Sequence, residues 1–207
     1  LIYDPYRRTS LLDHVLAADV APEAFRDGAV ELPFAGQPYE AVLPAVRGHP
    51  GATLWRESPA AGSTLRVEKE VRVDLHRPRL RAIYRVTNVG AAHADGRFGV
   101  EMNWAVTDPH APLVLDGVAR GARDAVVARG RRLEITDHGW PGPVTVAFPE
   151  GDAWRFPLET VSSSEAGVER TFQGVTTLCS WQLRLDPGQV FTTTIEVELG
   201  APRATRA

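Results

Sequence analysis

The sequence predicts an all-β fold, antiparallel strands packed as a two-sheet sandwich with at most one or two short helices, on three observations. Apolar residues recur at every second position in run after run from Leu65 onward. Clusters of Gly, Pro, Asn and Asp separate the runs at short intervals. No stretch keeps a helical period for more than about two turns, so the alternation of helix and strand that builds a parallel sheet is missing. Strand-like runs number on the order of ten to thirteen, which suits one sandwich. With 207 residues, a single domain is expected over residues 1–200, followed by a flexible tail, APRATRA, at 201–207.

In chain order, the opening YDPYRRTSLLDHVLAADVAPEAF alone has helical features. Ser10 with Asp13 resembles a capping box, and Leu11, Leu12, Val15 and Leu16 offer an apolar stripe. Pro22 limits such a helix to about two turns, so an edge element leading into the sheet is the better expectation. Residues 28–64 are broken by Pro33, Pro38, Pro44, Pro50 and Pro59, and short strands or extended loop are expected near Val30–Phe34 and Ala52–Glu57. Alternation then places Leu65, Val67, Val71 and Val73 on one face, a turn at His76–Pro78, and Leu80, Ala82, Tyr84 and Val86 on one face of the next strand. The run HADG at 93–96 reads as a hairpin connection continuing a meander. Phe98, Val100, Met102, Trp104 and Val106 follow, which puts Glu101 and Asn103 together on the opposite face.

Further strands are expected at Ala125–Ala128, Leu133–Thr136 and Val144–Phe148, the last two separated by DHGWPGP at 137–143. Ala153–Leu158 and Phe172–Leu185 flank a polar connection holding Glu159, Ser162, Ser163, Ser164, Glu165, Gly167, Glu169 and Arg170. Such a loop can orient groups toward a sugar or a metal, or be an ordinary solvated connection. DPGQ at 186–189 turns the chain into a closing strand lined by Phe191, Thr193, Ile195, Val197 and Leu199.

Composition excludes several classes. The chain is 43% apolar and 24% charged with a net charge of −3, a soluble globular balance without a membrane span. Its 23 basic residues include one lysine, Lys69, and are interspersed with acids, so no nucleic-acid face is formed. The single cysteine, Cys179, cannot form an intrachain disulfide and lies in an apolar run, where an inert thiol is expected. The start, LIYDPYRR, has neither Met nor a charged-then-apolar leader; a piece of a longer, cytoplasmic protein is expected. Phosphate-binding, zinc and serine-hydrolase motifs are all missing.

The candidate residues are polar groups that the pattern brings together. Glu101 and Asn103, about 7 Å apart on one strand face, suit sugar hydroxyls or a shared calcium ion, or are simply the wet side of a sheet. Glu165, Arg170 and Gln173 pose the same choice, and Glu169 beside Arg170 can be a plain surface ion pair. Trp104, Trp154 and Trp181 read as core, whereas Trp140, in a Gly and Pro loop, can stack on a sugar ring. His49, His76, His93, His110 and His138 stand beside turn residues and read as solvated. His14, among apolar residues, reads as a satisfied core histidine more readily than a catalytic one.

Three segments carry a resemblance: YDPYRRTSLLDH at 3–14, VEMNWAV at 100–106 and FPLETVSSSEAGVERTFQG at 156–174, the last the most specific. Together they resemble the C-terminal β-sandwich domain of family 57 glycoside hydrolases, of the 4-α-glucanotransferase and α-amylase type. The resemblance implies a galactose mutarotase-like supersandwich that follows an N-terminal (β/α) barrel carrying a Glu nucleophile and an Asp acid/base. It also implies a noncatalytic domain that packs on the barrel, its partner in the same polypeptide, and extends or covers a cleft for α-1,4-glucan or maltooligosaccharide. No cofactor is expected beyond a possible calcium. On this view Glu101, Asn103, Trp140, Glu165, Arg170 and Gln173 contact glucan, barrel or sandwich. The alternatives are a structural lid that binds no glucan, and a sugar mutarotase or epimerase, which needs a histidine within about 5 Å of Glu101 or Glu165 to pair acid with base.

Overall fold

The structure, a computed structural model, describes residues 4–43, 50–164 and 167–201, with the side chains of Ser163 and Ser164 left out. Twelve antiparallel strands and one short helix make up the described residues: β1 (Leu12–Leu16), α1 (Pro22–Arg26), β2 (Glu40–Val42), β3 (Gly51–Ala60), β4 (Ser63–Val73), β5 (Arg79–Asn88), β6 (Ala94–Trp104), β7 (Pro112–Leu115), β8 (Val118–Gly121), β9 (Val126–Ile135), β10 (Val144–Ser164), β11 (Gly167–Leu185) and β12 (Val190–Leu199). Hydrogen bonds link them in the order β1-β6-β11-β10-β12-β5-β4-β3-β2, with β9 alongside β10 and the β7–β8 hairpin on β9. No helix among the described residues is long and apolar enough to cross a membrane.

This ladder curls so that its halves face each other. Tyr84 of β5 and Phe98 of β6 are four strands apart along the ladder, yet their rings are 5.4 Å apart, and Phe98 lies 6.2 Å from Phe191 of β12. Alternate side chains of β4, β5, β6, β11 and β12 fill the space between as the main core. The layers are joined by β10, which belongs to both. Its residues Val144–Ala147 pair with β12 and Asp152–Ser164 pair with β11. The crossing falls at Phe148–Gly151, where the register with β9 shifts and Pro149 is tolerated because the ladder is already broken. Trp181 pins the corner by donating its indole N–H to Pro149 O at 3.2 Å, and a Cβ on Gly151 would stand 2.6 Å from that nitrogen.

A second apolar cluster lies on the back of β1, β6, β11 and β10. Leu16, Trp154, Phe156 and Leu178 are covered there by Phe25 of α1, with Val20 and Val30 at the margin. Phe25 stands 6.0 Å from the Trp154 ring. Burying each of these side chains contributes about 1.5–3 kcal/mol, which is what holds a helix of one turn and a half in place. Pro22 starts α1 and Gly28, at φ +70°, ends it. Arg155, 5% exposed, donates to the carbonyls of Leu113, Gly121 and Asp124 and so ties the β7–β8 hairpin to β10.

Several elements differ from the sequence reading. The edge element expected at the N-terminus is present as β1, the end strand of the ladder, whereas the helical features of Ser10–Leu16 form no helix, because β1 is buried on both faces and its apolar positions do not need a helical period. Of the two forms expected for Val30–Phe34, strand or loop, the structure shows a loop. The β4–β5 hairpin is as expected, but the meander stops there, because β6 crosses to the other layer beside β1 and β11. Ala94–Gly96 already pairs with β11, and the turn before it is organised by buried Asn88, which bonds Ser63, Gly90 and the carbonyls of Ala92 and Leu185. Ala125–Ala128 and Leu133–Thr136 merge into β9, and Val144–Phe148 and Ala153–Leu158 merge into β10. The polar connection is a ribbon, with Thr160 opposite Thr171 and Ser162 opposite Glu169 beyond a bulge at Leu158/Glu159. The tail beyond Ala201 and His49 lie outside the described residues.

Gly174 sits where β11 leaves the body for that ribbon, at φ +151°, and a Cβ there would be 2.3 Å from the Trp104 carbonyl oxygen. Gly174→Ala is therefore expected to destabilise the protein by at least about 2 kcal/mol, read as a lowered urea midpoint at unchanged m-value.

Candidate functional site

Glu101 projects from the middle of β6 onto the back face, in register with Leu12 of β1 and Leu178 of β11. A carboxylate at this depth is fully buried and must find donors or lose its charge. Four residues supply them. Tyr6 Oη donates to Oε2 at 2.5 Å and His14 Nε2 to the same oxygen at 2.7 Å. Arg8 Nη1 donates to Oε1 at 3.1 Å and Asn103 Nδ2 to the same oxygen at 2.7 Å. Asn103 is held in turn: its amide also donates to Thr9 O at 2.6 Å, and its Oδ1 accepts from Thr176 Oγ1 at 2.6 Å. Ser10 Oγ donates to Asn103 O at 3.1 Å. The segment 4–16 is thereby clasped across β6, and two of the three segments that carry the family resemblance meet at one carboxylate.

The electrostatics follow from this geometry. Burial opposes ionisation of Glu101, but the hydrogen bond and charge of His14, with the bonds from Tyr6 and Asn103, outweigh it and hold the group at about 2. The Tyr6 phenol is pushed up, first by burial and then by the Glu101 charge. The His14 ring is 5.0 Å from Phe25, edge on, so the clasp and the second core share a residue.

Glu101 and Asn103 thus stand on a covered face and not on a wet one, because the N-terminal segment and α1 close over it. Both Glu101 oxygens are taken by donors, one of them a guanidinium, which leaves neither for a cation. No group of three or more His, Cys, Asp or Glu side chains among the described residues is placed to hold a metal ion. His14 lies within the distance at which a mutarotase would pair acid and base, but neither side chain of the pair is exposed and the Glu101 carboxylate is already engaged by the clasp.

The other candidates lie elsewhere. Trp140 is half-buried, packed against the main core, in a loop organised by Asp137. That carboxylate accepts from the backbone of Thr107, Asp108 and Gly139; burial raises its pKa, and these bonds outweigh burial and lower it. Arg170 is exposed on the ribbon, 3.7 Å from Glu159, which also meets Arg123 at 3.4 Å, so its ion-pair partner is Glu159 across the ribbon. Exposed Gln173 donates to Thr160 Oγ1 at 3.1 Å. Glu165 lies outside the described residues. Thus Glu101 and Asn103 come together, while Trp140, Arg170 and Gln173 do not join them. The residues missed were Tyr6, Arg8, Asp137 and Asn88; the only signal for the first two was their place in a polar, aromatic segment otherwise without a role. Trp154 and Trp181 are core, and burial pushes the Cys179 thiol up.

Two predictions rest on the clasp. A carboxyl held at about 2 in the folded state, against an ordinary 4.5, contributes stability that is complete above pH 4.5 and is lost as pH falls toward 2. That contribution is about 3 kcal/mol, to be read from denaturant midpoints across this range. Glu101→Gln keeps the shape but removes the charge, and is expected to cost about 3–5 kcal/mol at neutral pH and to flatten the acid dependence.

Comparison with known proteins agrees with this architecture. The family model for the alpha-amylase/4-alpha-glucanotransferase C-terminal region matches residues 1–195. An alpha-amylase of Pyrococcus abyssi (strain GE5 / Orsay) is 28% identical over 179 residues, 84% of this chain and 24% of that protein. The 4-alpha-glucanotransferase of Thermococcus litoralis superposes with a TM-score of 0.75 at 25% identity, over 96% of this chain and 28% of that one. A galactose mutarotase-like protein of Lactobacillus casei shares the fold, with a TM-score of 0.57 at 9% identity over 80% of this chain and 74% of its own. The chain therefore spans about a quarter of the length of the glucan enzymes it matches, and it belongs to the alpha-amylase/4-alpha-glucanotransferase C-terminal family.

Proposed function

We propose that this chain is the noncatalytic C-terminal domain of an α-glucan-active glycoside hydrolase or 4-α-glucanotransferase, and that it packs on the catalytic domain of the same polypeptide. The observation that carries the reading is the match to the Thermococcus litoralis enzyme, which takes in nearly all of this chain and about a quarter of that one. The ribbon formed by the ends of β10 and β11 supports it. Among the described residues, 159–163 and 168–172 make their ladder pairs with each other, since the pairing with β9 ends at Arg155 of β10 and the pairing with β6 at Val175 of β11. A two-stranded ribbon is marginally stable alone in water. Val161 and Val168 share one face of it and are 41% and 72% exposed, a surface that gains by being covered. The same segment carries the most specific part of the family resemblance.

The catalytic and C-terminal portions, expressed as separate polypeptides, are expected to associate. Val168→Asp and Val161→Asp are expected to weaken association at least about tenfold, roughly 1.4 kcal/mol, without lowering the Tm of this chain. Association that ignores both substitutions would remove the ribbon from the interface, and no association at all would sink the packing role. This chain alone is expected to leave maltooligosaccharides uncleaved, because a retaining mechanism needs two carboxyl groups about 5–5.5 Å apart across the bond, and the Glu101 carboxylate is sealed.

A further inference from the structure

Away from the Glu101 clasp, the structure buries a second polar group that the fold leaves unsatisfied. Asp13 of β1 faces the main core, opposite to His14; it is 2% exposed, and neither carboxylate oxygen makes a hydrogen bond. Lys69 Nζ of β4 lies 3.1 Å from Asp13 Oδ2 and donates to Leu11 O at 2.7 Å. The same ammonium stands 4.9 Å over the Tyr39 ring. The Tyr39 and Tyr84 hydroxyls are buried without partners. Burial, then the Asp13 charge, pushes both phenols up. Of the eight buried side-chain N and O atoms without partners among the described residues, four belong to this group: Asp13 Oδ1 and Oδ2, Tyr39 Oη and Tyr84 Oη.

A cavity of about 400 Å³ opens here, walled by Tyr6, Thr9, Phe34 and Gln37 with Asp13, Tyr39 and Lys69, within the range of about 300–1,000 Å³ typical of small-molecule sites. We propose that it binds a neutral polyol the size of one sugar ring, held by Lys69, Tyr39 and Asp13. Asp13 and Lys69 neutralise each other as a pair, while the exposed Arg7 also lines the cavity and adds a positive charge, so competition by an anion is the control for the neutral ligand. A carboxylate that only accepts, beside an ammonium that only donates, matches two neighbouring hydroxyls, each of which does both. Tyr6 and Phe34 supply apolar wall for the ring carbons. A purely apolar ligand would leave the Tyr39 hydroxyl buried without a partner, at a cost of about 1–3 kcal/mol. The Lys69 side chain, 13% exposed, is met first, while that of Asp13 is closed to water. The Lys69–Tyr39 contact is therefore the cover that the ligand displaces.

The test is a titration of the 207-residue chain with glucose and with maltose, followed by amide chemical shifts. Saturable shifts centred on Tyr6, Gln37 and Lys69 are expected, with affinity lowered at least about tenfold in Lys69→Met and in Tyr39→Phe. Tyr39→Phe removes only an unpartnered hydroxyl, so it folds, and melting curves on both variants check this. The proposal is overturned by the absence of saturable shifts, which would leave a water-filled cavity only, by shifts that both variants retain, or by equal competition from inorganic phosphate. The choice of glucose-based probes rests on the glucan-enzyme reading. The two fail separately: domain association through Val161 and Val168 does not involve this cavity, and sugar binding here does not involve the ribbon.

Discussion

A single negative charge, that of Glu101, fixes how this sandwich closes. Removing a carboxylate from water costs several kcal/mol unless donors surround it, and β6 by itself supplies only Asn103. The other three donors, Tyr6, Arg8 and His14, come from a segment nearly ninety residues or more away in sequence, so satisfying the charge obliges the N-terminus to cross the back of the sheet. Once there, the chain brings Phe25 over Trp154 and Phe156. The second core is thus a consequence of the clasp as much as a companion to it. Without the segment, the sheet would expose two large aromatic residues beside an unpaired charge. That coupling makes polar specificity and apolar burial on this face one cooperative unit.

The second constraint is geometric. A curled sheet must turn a corner somewhere, and here one strand of twenty-one residues does so, changing partners from β12 to β11. The break costs ladder hydrogen bonds over Phe148–Gly151. Trp181 restores part of this by bonding the Pro149 carbonyl, while its ring packs against Phe148 and Phe191. The stretch from Trp154 to Trp181 therefore holds both layers: Trp154 anchors the back cluster and Trp181 the corner of the main core.

The parts of this legible in the sequence are those in which burial differs between the two faces of a strand. Most of β4, β5 and β12 could be read from alternation, since one face meets the core and the other does not, and β6 from the apolar half of its residues alone. Alternation cannot report that a distant segment covers the second face, so Glu101 and Asn103 looked solvated although burial is complete at Glu101. The alternation ends runs at Ala128 and Phe148 and starts new ones at Leu133 and Ala153; in the structure β9 and β10 continue through both intervals, and the irregularity between Ala147 and Gly151 is a register shift. The ribbon looked like a loop for the opposite reason, since apart from Phe172 at its base its side chains are largely exposed, and Val161 and Val168 among its polar residues set up no alternation. His14 was legible as a core residue, but its partner was not, because strand spacing says nothing about pairs eighty-seven residues apart.

These constraints also narrow where another domain can sit. The back of β1, β6, β11 and β10 is occupied by the N-terminal segment, and the interior by the main core. The outer face of β4, β5 and β12 is laced with its own ion pairs, Arg79 with Glu198, Arg81 with Glu196 and Arg85 with Glu68. A partner docking there would have to desolvate charges already matched to each other, at little net gain. The ribbon differs: beyond Phe172, which packs against the main core, it has backbone order with little side-chain burial, and exposed valines beside an Arg123–Glu159–Arg170 relay. Its order is maintained at the base by Gly174 and the bulge at Leu158/Glu159, so a partner that covers it meets a preformed surface, and little conformational entropy is lost on docking.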